Sequence, residues 1–293
     1  MRIALTLIAG AADCGLSGLA ASVAAALAIE TKPVWLAPDE ACDFIIEVSD
    51  PAAIARAVRG VVRSTPVDIL VQPAVGRRKH LLVADLESTV IENEMLDELA
   101  LILGVGPQVA EITRRAMNGE IDFVAALEAR VALLGGIEPR ILETAAAQIR
   151  LTPGARTLVA TMRRDGATTA LVTGGFTVFA DRVGAELGFD RIVANRLEVA
   201  GGRVTGKVLP PIVTGETKRE TLLTIAVERG IPLAQTIAVG DGANDVPMLT
   251  AAGIGIAFRA KPAVAAAARW RLDHADLTGL LYAQGYRKAE FAA

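Results

Sequence analysis

Residues 83–94 read VADLESTVIENE, and they continue an apolar run, LLVA, that stops on Asp85. A short run of this kind, with no polar alternation, predicts a strand buried on both faces of a parallel sheet. Its end is crowded with acids and hydroxyls: Asp85, Glu87, Ser88, Thr89, Glu92 and Glu94. In an open parallel sheet, ligands bind beyond the carboxyl ends of the strands. The stretch therefore predicts a buried strand with a site at its tip.

Downstream, the pattern alternates between strand and helix. From about residue 95 to 150 it is almost wholly helical, broken near Gly104–Pro107, Asn118–Gly119 and Gly135–Gly136. ATTALVTGG (167–175) reads as a strand ending in a glycine pair. TVFADRVGAELG reads as a helix, and NRLEVAGGRVTGKV as a hairpin turning at Gly201–Gly202. GETKRETLLTIAVERG is a helix, QTIAVGDG a strand ending on Asp241, ANDVPMLTAAG a short helix and IGIAF a last strand. Strands alternating with helices predict an α/β fold, a doubly wound parallel sheet covered on both faces.

Upstream, residues 1–80 predict a small domain of order β-α-β-β-α-β, the ferredoxin-like split motif. GRRKH (76–80) is a basic, polar boundary, and residues 81–293 form the second domain. The opening MRIALTLIAGAADC has some character of a signal peptide. A first strand is the favoured reading, because Asp13 precedes Cys14 where a lipoprotein-type cleavage site requires a small residue. No run approaches the roughly 18 apolar residues that a membrane helix needs.

The chain has 293 residues, 52% of them hydrophobic but only 4% aromatic, so aliphatic side chains must build the core. With 30 basic and 33 acidic residues its net charge is −3, which gives no electrostatic footprint for nucleic acid. Cys14 and Cys42 provide neither a zinc spacing nor a disulfide framework, and a reducing cytoplasm is the expected location.

Three strand ends carry polar groups: Asp85-x-Glu87-x-Thr89, Thr173-Gly174-Gly175, and Asp241-Gly242-x-Asn244-Asp245. Lys218 opens the helix between the second and third. Such a set suits phosphoryl transfer. A carboxylate can accept a phosphoryl group, carboxylates at two strand ends can hold Mg²⁺, and a hydroxyl, glycine N–H groups and an ammonium can grip phosphate oxygens.

The order and spacing resemble the haloacid dehalogenase (HAD) superfamily, and within it the phosphoserine phosphatases. The carrying motifs are Asp85-Leu-Glu87-Ser-Thr89, VTGG with Thr173, Lys218, and GDGAND from Gly240 to Asp245, with ENEMLDELA, EARVALLGG, ANRLEV and DLTGLLYAQGY as further family-like text. The resemblance runs from about Val67 to Tyr286. It implies a helical cap inserted at about 95–150, and a diverged ACT-like domain in front. It implies Asp85 as nucleophile and metal ligand, Glu87 as acid/base and, through its carbonyl, a metal ligand, and Asp241 and Asp245 as further metal groups for Mg²⁺. Thr173, Gly174 and Lys218 are implied as phosphate contacts, Asn244 as a contact to substrate or phosphate, Glu94 and Arg130 as partners of the substrate ammonium and carboxylate, and Met117 and Phe123 as its packing surface.

One departure stands out. The family's first motif has Asp where this chain has Glu87, a longer arm by one methylene, roughly 1.5 Å. Active-site geometry is sensitive on the order of 1 Å, so the expectation is a weakened or redirected acid/base group. The implied activity is Mg²⁺-dependent hydrolysis of O-phospho-L-serine to serine and phosphate through an aspartyl phosphate, the last step of serine biosynthesis. Two alternatives stand beside it: a phosphatase or phosphotransferase acting on another small phosphomonoester, or a slow or inactive relative that senses an amino acid. The expected partners are the small-molecule substrate and at most a second copy of the chain, with no nucleic acid and no membrane. Taken singly, Asp85 could cap a turn, Glu94 could favour a helix dipole, Arg130 could be solvated, and Met117 and Phe123 could be plain core.

Overall fold

The structure, a computed structural model, describes residues 1–10, 14–117 and 120–292, with the side chain of Met117 outside the description. Asp13 and the expected break at Asn118–Gly119 also lie outside the described residues.

The N-terminal unit runs β1 (Arg2–Ala9), α1 (Leu16–Ala26), β2 (Val34–Ala37), β3 (Ala41–Glu47), α2 (Pro51–Val62) and β4 (Val67–Pro73). Its sheet has the order β2-β3-β1-β4, with every pairing antiparallel. Alternation along β1 sends Ile3, Leu5 and Leu7 into a core with Leu16, Val23 and Val58 from the two helices. The opposite face is buried too, because the rest of the chain covers it: Ile8, Leu36 and Leu70 join the core that contains Tyr282 and Tyr286.

The basic boundary stretch is not a solvated linker. The Arg77 side chain is only 9% exposed and donates to Asp43 Oδ2 at 2.5 Å, to Thr6 Oγ1 at 3.0 Å, and to the carbonyls of Tyr282 and Ala283 at 3.0 and 3.1 Å. Lys79 donates to the carbonyls of Gly76 and Ala234. A buried guanidinium is tolerated where a carboxylate and carbonyls take up its donors. Asp68 accepts from the backbone N–H groups of Asp273, His274 and Ala275 at 2.7, 3.1 and 2.8 Å, fastening β4 to the later chain.

The second unit opens with β5 (Leu81–Ala84) and continues through α3 (Met95–Leu103), α4 (Gly106–Met117), α5 (Phe123–Ala132) and α6 (Pro139–Ala146). Then come α7 (Ala155–Arg164), β6 (Thr168–Phe176), α8 (Thr177–Leu187), β7 (Arg191–Ala200), β8 (Arg203–Leu209) and α9 (Gly215–Glu228). The chain ends with β9 (Thr236–Gly240), α10 (Val246–Ala251), β10 (Ile254–Phe258), α11 (Pro262–Ala267), β11 (Trp270–Leu272) and α12 (Gly279–Ala283). The sheet order is β11-β10-β9-β5-β6-β7-β8, parallel except for the β7–β8 hairpin. The fully buried β5 lies at its centre. No helix among the described residues is long and apolar enough to cross a membrane.

Helices α3 to α6 leave and rejoin the sheet unit through two adjacent segments. Ile91 bridges Leu151, Glu92 N–H donates to the Arg150 carbonyl at 2.9 Å, and Thr152 N–H to that of Val90 at 3.0 Å. Asn93 ties the crossing, accepting from Arg150 N–H at 2.8 Å and donating to Glu98 Oε1 at 2.6 Å.

Candidate active site

The adjacent strands β6, β5 and β9 bring Thr173, Asp85 and Asp241 to one rim of the sheet. Asp85 leaves β5 in extended conformation, its N–H donating to the Val239 carbonyl at 3.0 Å. The chain then makes a single wide turn, Leu86–Val90, closed by Ile91 N–H on the Leu86 carbonyl at 2.9 Å. Ser88 takes a left-handed φ of 54° inside it. That turn swings Glu87 back over the strand end. Thr89, inside the same turn, is fully buried, and its Oγ1 is the one buried side-chain polar atom without a hydrogen bond among the described residues.

Lys218 enters from the first turn of α9, which Thr214 caps. Its ammonium is buried and donates to Asp85 Oδ1 at 2.5 Å and Asp245 Oδ1 at 2.6 Å. Asp245 is held by Gly242 N–H on its Oδ2 at 2.9 Å. It also fills the space over Gly240, where a Cβ would fall 2.4 Å from its Cγ, so the residue before Asp241 must be glycine.

Carboxylate oxygens of Asp85, Asp241 and Asp245 lie within 4.8 Å of one another. The electrostatics follow from this crowding. Burial, then the Asp245 charge, hold the Asp85 carboxyl well above its ordinary range, against the pull of Lys218. Burial opposes the charge on Lys218, but its two carboxylates outweigh that and push its pKa up. Asp241 is pushed up to about 6, chiefly by burial. Three carboxylates against one buried ammonium leave excess negative charge, and an all-oxygen donor set of this kind fits a hard divalent cation such as Mg²⁺.

Glu87 has a defined seat. Its Oε1 accepts from Met95 N–H, the first residue of α3, at 3.0 Å. Its other oxygen lies where a Cβ on Gly175 would approach within 2.7 Å. Burial and the nearby Glu94 charge raise its pKa to about 7. The extra methylene is thus taken up by docking the carboxyl on a helix N-terminus, where partial positive charge and a free N–H favour an anion.

A cleft of about 200 Å³ lies over these groups, and Glu94, Phe123, Arg130, Gly174 and Asn244 line it. Phe123 and Arg130 reach it from α5, and Glu94 precedes α3. Among the described residues, Arg130 donates only to the Ala126 carbonyl of its own helix, at 3.2 Å from Nε. Ser88 Oγ donates to Glu94 Oε1 at 2.8 Å. Thr173 Oγ1 accepts from Gly175 N–H at 2.8 Å, so its own hydrogen remains free to donate. The structure therefore brings every sequence-named residue to one place except Met117, whose side chain lies outside the described residues.

A family model described as haloacid dehalogenase-like hydrolase matches residues 82–250. The chain belongs to this family. A phosphoserine phosphatase of Streptomyces coelicolor is 41% identical over 258 residues, covering 87% of this chain. The chain spans only 63% of that relative's own length. A phosphoserine phosphatase of Streptococcus thermophilus is 48% identical over 199 residues, 68% of this chain and 93% of the relative. The crystal structure of a HAD family hydrolase from Salmonella enterica serovar Typhi matches with a TM-score of 0.87 at 26% identity, covering 98% of each chain.

In this HAD hydrolase two residues at the site escaped the sequence reading. Lys261 precedes α11 and places its Nζ 3.6 Å from Asp241 Oδ2 and 3.9 Å from Glu94 Oε1. Asn195 on β7 donates to the Gly174 carbonyl at 2.7 Å and accepts from Val213 N–H at 2.8 Å, fixing the glycine loop beside Thr173. Lysine in an alanine-rich segment and asparagine inside a strand carry no motif signal of their own.

Proposed function

We propose that the chain is a Mg²⁺-dependent phosphoserine phosphatase, with residues 1–80 as an ACT-like domain, 81–293 as the catalytic domain, and a helical cap at about 95–150. The observation that supports this most is the pairing across one cleft. Asp85, Asp241, Asp245 and Lys218 stand on the sheet side, and Glu94 and Arg130 on the helical side. The first set serves a phosphate ester, and the second serves the ammonium and carboxylate of an amino acid. The two phosphoserine phosphatases to which the chain is similar support the same reading.

In this reading the Asp85 carboxylate attacks phosphorus, forming an acyl phosphate as the ester P–O bond breaks. The departing serine oxygen takes a proton from Glu87. The resulting Glu87 carboxylate then takes a proton from water, which attacks phosphorus and frees Asp85 with release of phosphate. A group whose pKa is about 7 can hold and give up a proton near neutrality, as both steps require. Thr173, the Gly174 N–H, Asn244 and Lys218 hold the phosphate oxygens. Phe123 and Met117 cover the substrate. Asp85, Asp241 and Asp245, with the Glu87 carbonyl, would hold Mg²⁺, which would neutralise charge between nucleophile and phosphate.

Two unpaired cysteines support a reducing cytoplasm as its location. Phosphate release from O-phospho-L-serine, measured with Mg²⁺ and with chelator, tests the reading. Metal-dependent release is expected, and release only from other phosphomonoesters would replace phosphoserine as the substrate.

A further inference from the structure

A second concave surface, of about 510 Å³, lies where the N-terminal unit meets the catalytic one. Arg59 and Arg63 enter it from the end of α2, and Arg269 and Arg271 from the segment after α11. Of these, Arg271 is paired with Asp273 at 2.5 Å. Arg59, Arg63 and Arg269 have no carboxylate partner among the described residues. The other acid in the groove, Asp68, is committed to three backbone N–H groups.

Two of the unpaired guanidiniums are held in place. Arg269 lies over the Trp270 ring at 4.5 Å, and the indole N–H is anchored on the Val71 carbonyl at 2.9 Å. Arg63 has φ 50° and ψ −117°, outside the regions open to L-residues, and its Nε is held on the Gly60 carbonyl at 3.2 Å. Arg63 closes α2 in this strained conformation, which fixes where its guanidinium enters the groove.

We propose that this groove binds a small polyanion bearing at least two carboxylate or phosphate groups, and that its occupancy is felt in the active cleft through α11. Planar guanidinium forks match carboxylate and phosphate oxygens in pairs, and the volume suits a small molecule rather than a polymer. The link to the cleft is short. Ala265 and Ala266 of α11 line the groove, and Lys261 caps the same helix at its other end. There the Lys261 N–H donates to the Asp241 carbonyl at 3.2 Å, and its ammonium faces Asp241 and Glu94. A ligand that fixes α11 fixes Lys261, and by linkage the effect is reciprocal.

Calorimetric titration of the full chain in Mg²⁺-free buffer tests binding, using propane-1,2,3-tricarboxylate and inorganic triphosphate as probes. One site per chain is expected for at least one probe, with Kd below about 1 mM, and the preferred probe identifies the anionic group. Arg63→Ala/Arg269→Ala should weaken it roughly tenfold or more. Arg156→Ala/Arg191→Ala, which removes the same charge elsewhere, should leave it unchanged. No binding by the native chain, or equal weakening by both pairs, overturns the site. With free Mg²⁺ held constant, saturating tricarboxylate should change KM for the phosphomonoester roughly twofold or more in the native chain and not in Arg63→Ala/Arg269→Ala. Unchanged kinetics overturn the link through α11. Calorimetry needs no turnover, so the binding result stands whichever phosphomonoester is the substrate.

Discussion

Glu87 and Gly175 are fitted to each other: the Glu87 carboxyl occupies the space in which a side chain at 175 would begin, with Oε2 2.7 Å and Cδ 3.0 Å from an added Cβ. Gly175→Ala should therefore displace the acid and lower kcat by on the order of tenfold to a hundredfold, the usual cost of an angstrom-scale misplacement. In a Glu87→Asp background the same change should cost much less, because the shorter acid leaves that space open. Steady-state kinetics of the four proteins in this cycle measure the coupling, and additive losses would show that the two residues act independently.

Glu87→Gln keeps the shape of the side chain and removes its proton. The expected loss in kcat is about 10²–10⁴-fold, the range of general acid–base help. Glu87→Asp keeps the acid and should remain well above the Gln variant. Equal loss in both would assign Glu87 to structure alone.

The crowded carboxylates predict how pH affects the metal-free protein. Glu87 and Asp241 have folded pKa values raised to about 7 and about 6 from 4.5 and 3.8, with burial the largest cause in each. A raised pKa means that the folded state binds the proton more tightly than the unfolded one. The associated stability is complete below about pH 4 and is lost as pH rises through about 6 to 7. Without metal, Tm should fall between about pH 5 and pH 8. Mg²⁺ selects the deprotonated ligands, so the Tm gain it brings should be larger at about pH 8 than at about pH 5.5. Thermal scans with Mg²⁺ and with chelator check this, and a gain that does not depend on pH would contradict it.

Arg130 lines the cleft, and among the described residues its guanidinium donates only to a carbonyl of its own helix. Arg130→Ala should raise KM for O-phosphoserine by roughly tenfold or more, the scale of a lost charge-assisted hydrogen bond. A phosphomonoester without a carboxylate should be little affected. Parallel KM measurements on the two substrates decide it, and equal losses would remove Arg130 as the carboxylate partner.

Much of this site is readable from local sequence because each element ends on its functional group. LLVA stops on Asp85, TIAVG on Asp241, and ATTALV runs into Thr173 and two glycines, so placing the strands places the residues. The β-α-β-β-α-β order of the first 73 residues was also readable, since short apolar runs there are interleaved with two helical stretches. What local pattern could not supply is anything decided by a distant partner. Glu87 looks like a misfit until Met95 N–H and Gly175 are brought to it by the cap crossing and by β6. Arg77 reads as solvated polarity until Asp43, 34 residues away, and the carbonyls of α12 close around it. Lys261 acquires its place only when β10 lies beside β9.

The central claim is that Asp85 carries the phosphoryl group of phosphoserine. The most direct measurement mixes the protein and Mg²⁺ with O-phosphoserine radiolabelled in its phosphate, quenches with acid within a single turnover, and counts label bound to protein. The native protein should carry base-labile label on Asp85 during the turnover, as an acyl phosphate requires. Asp85→Asn should carry none and release no phosphate. Label retained by Asp85→Asn, or phosphate released by it at a substantial rate, would contradict the account.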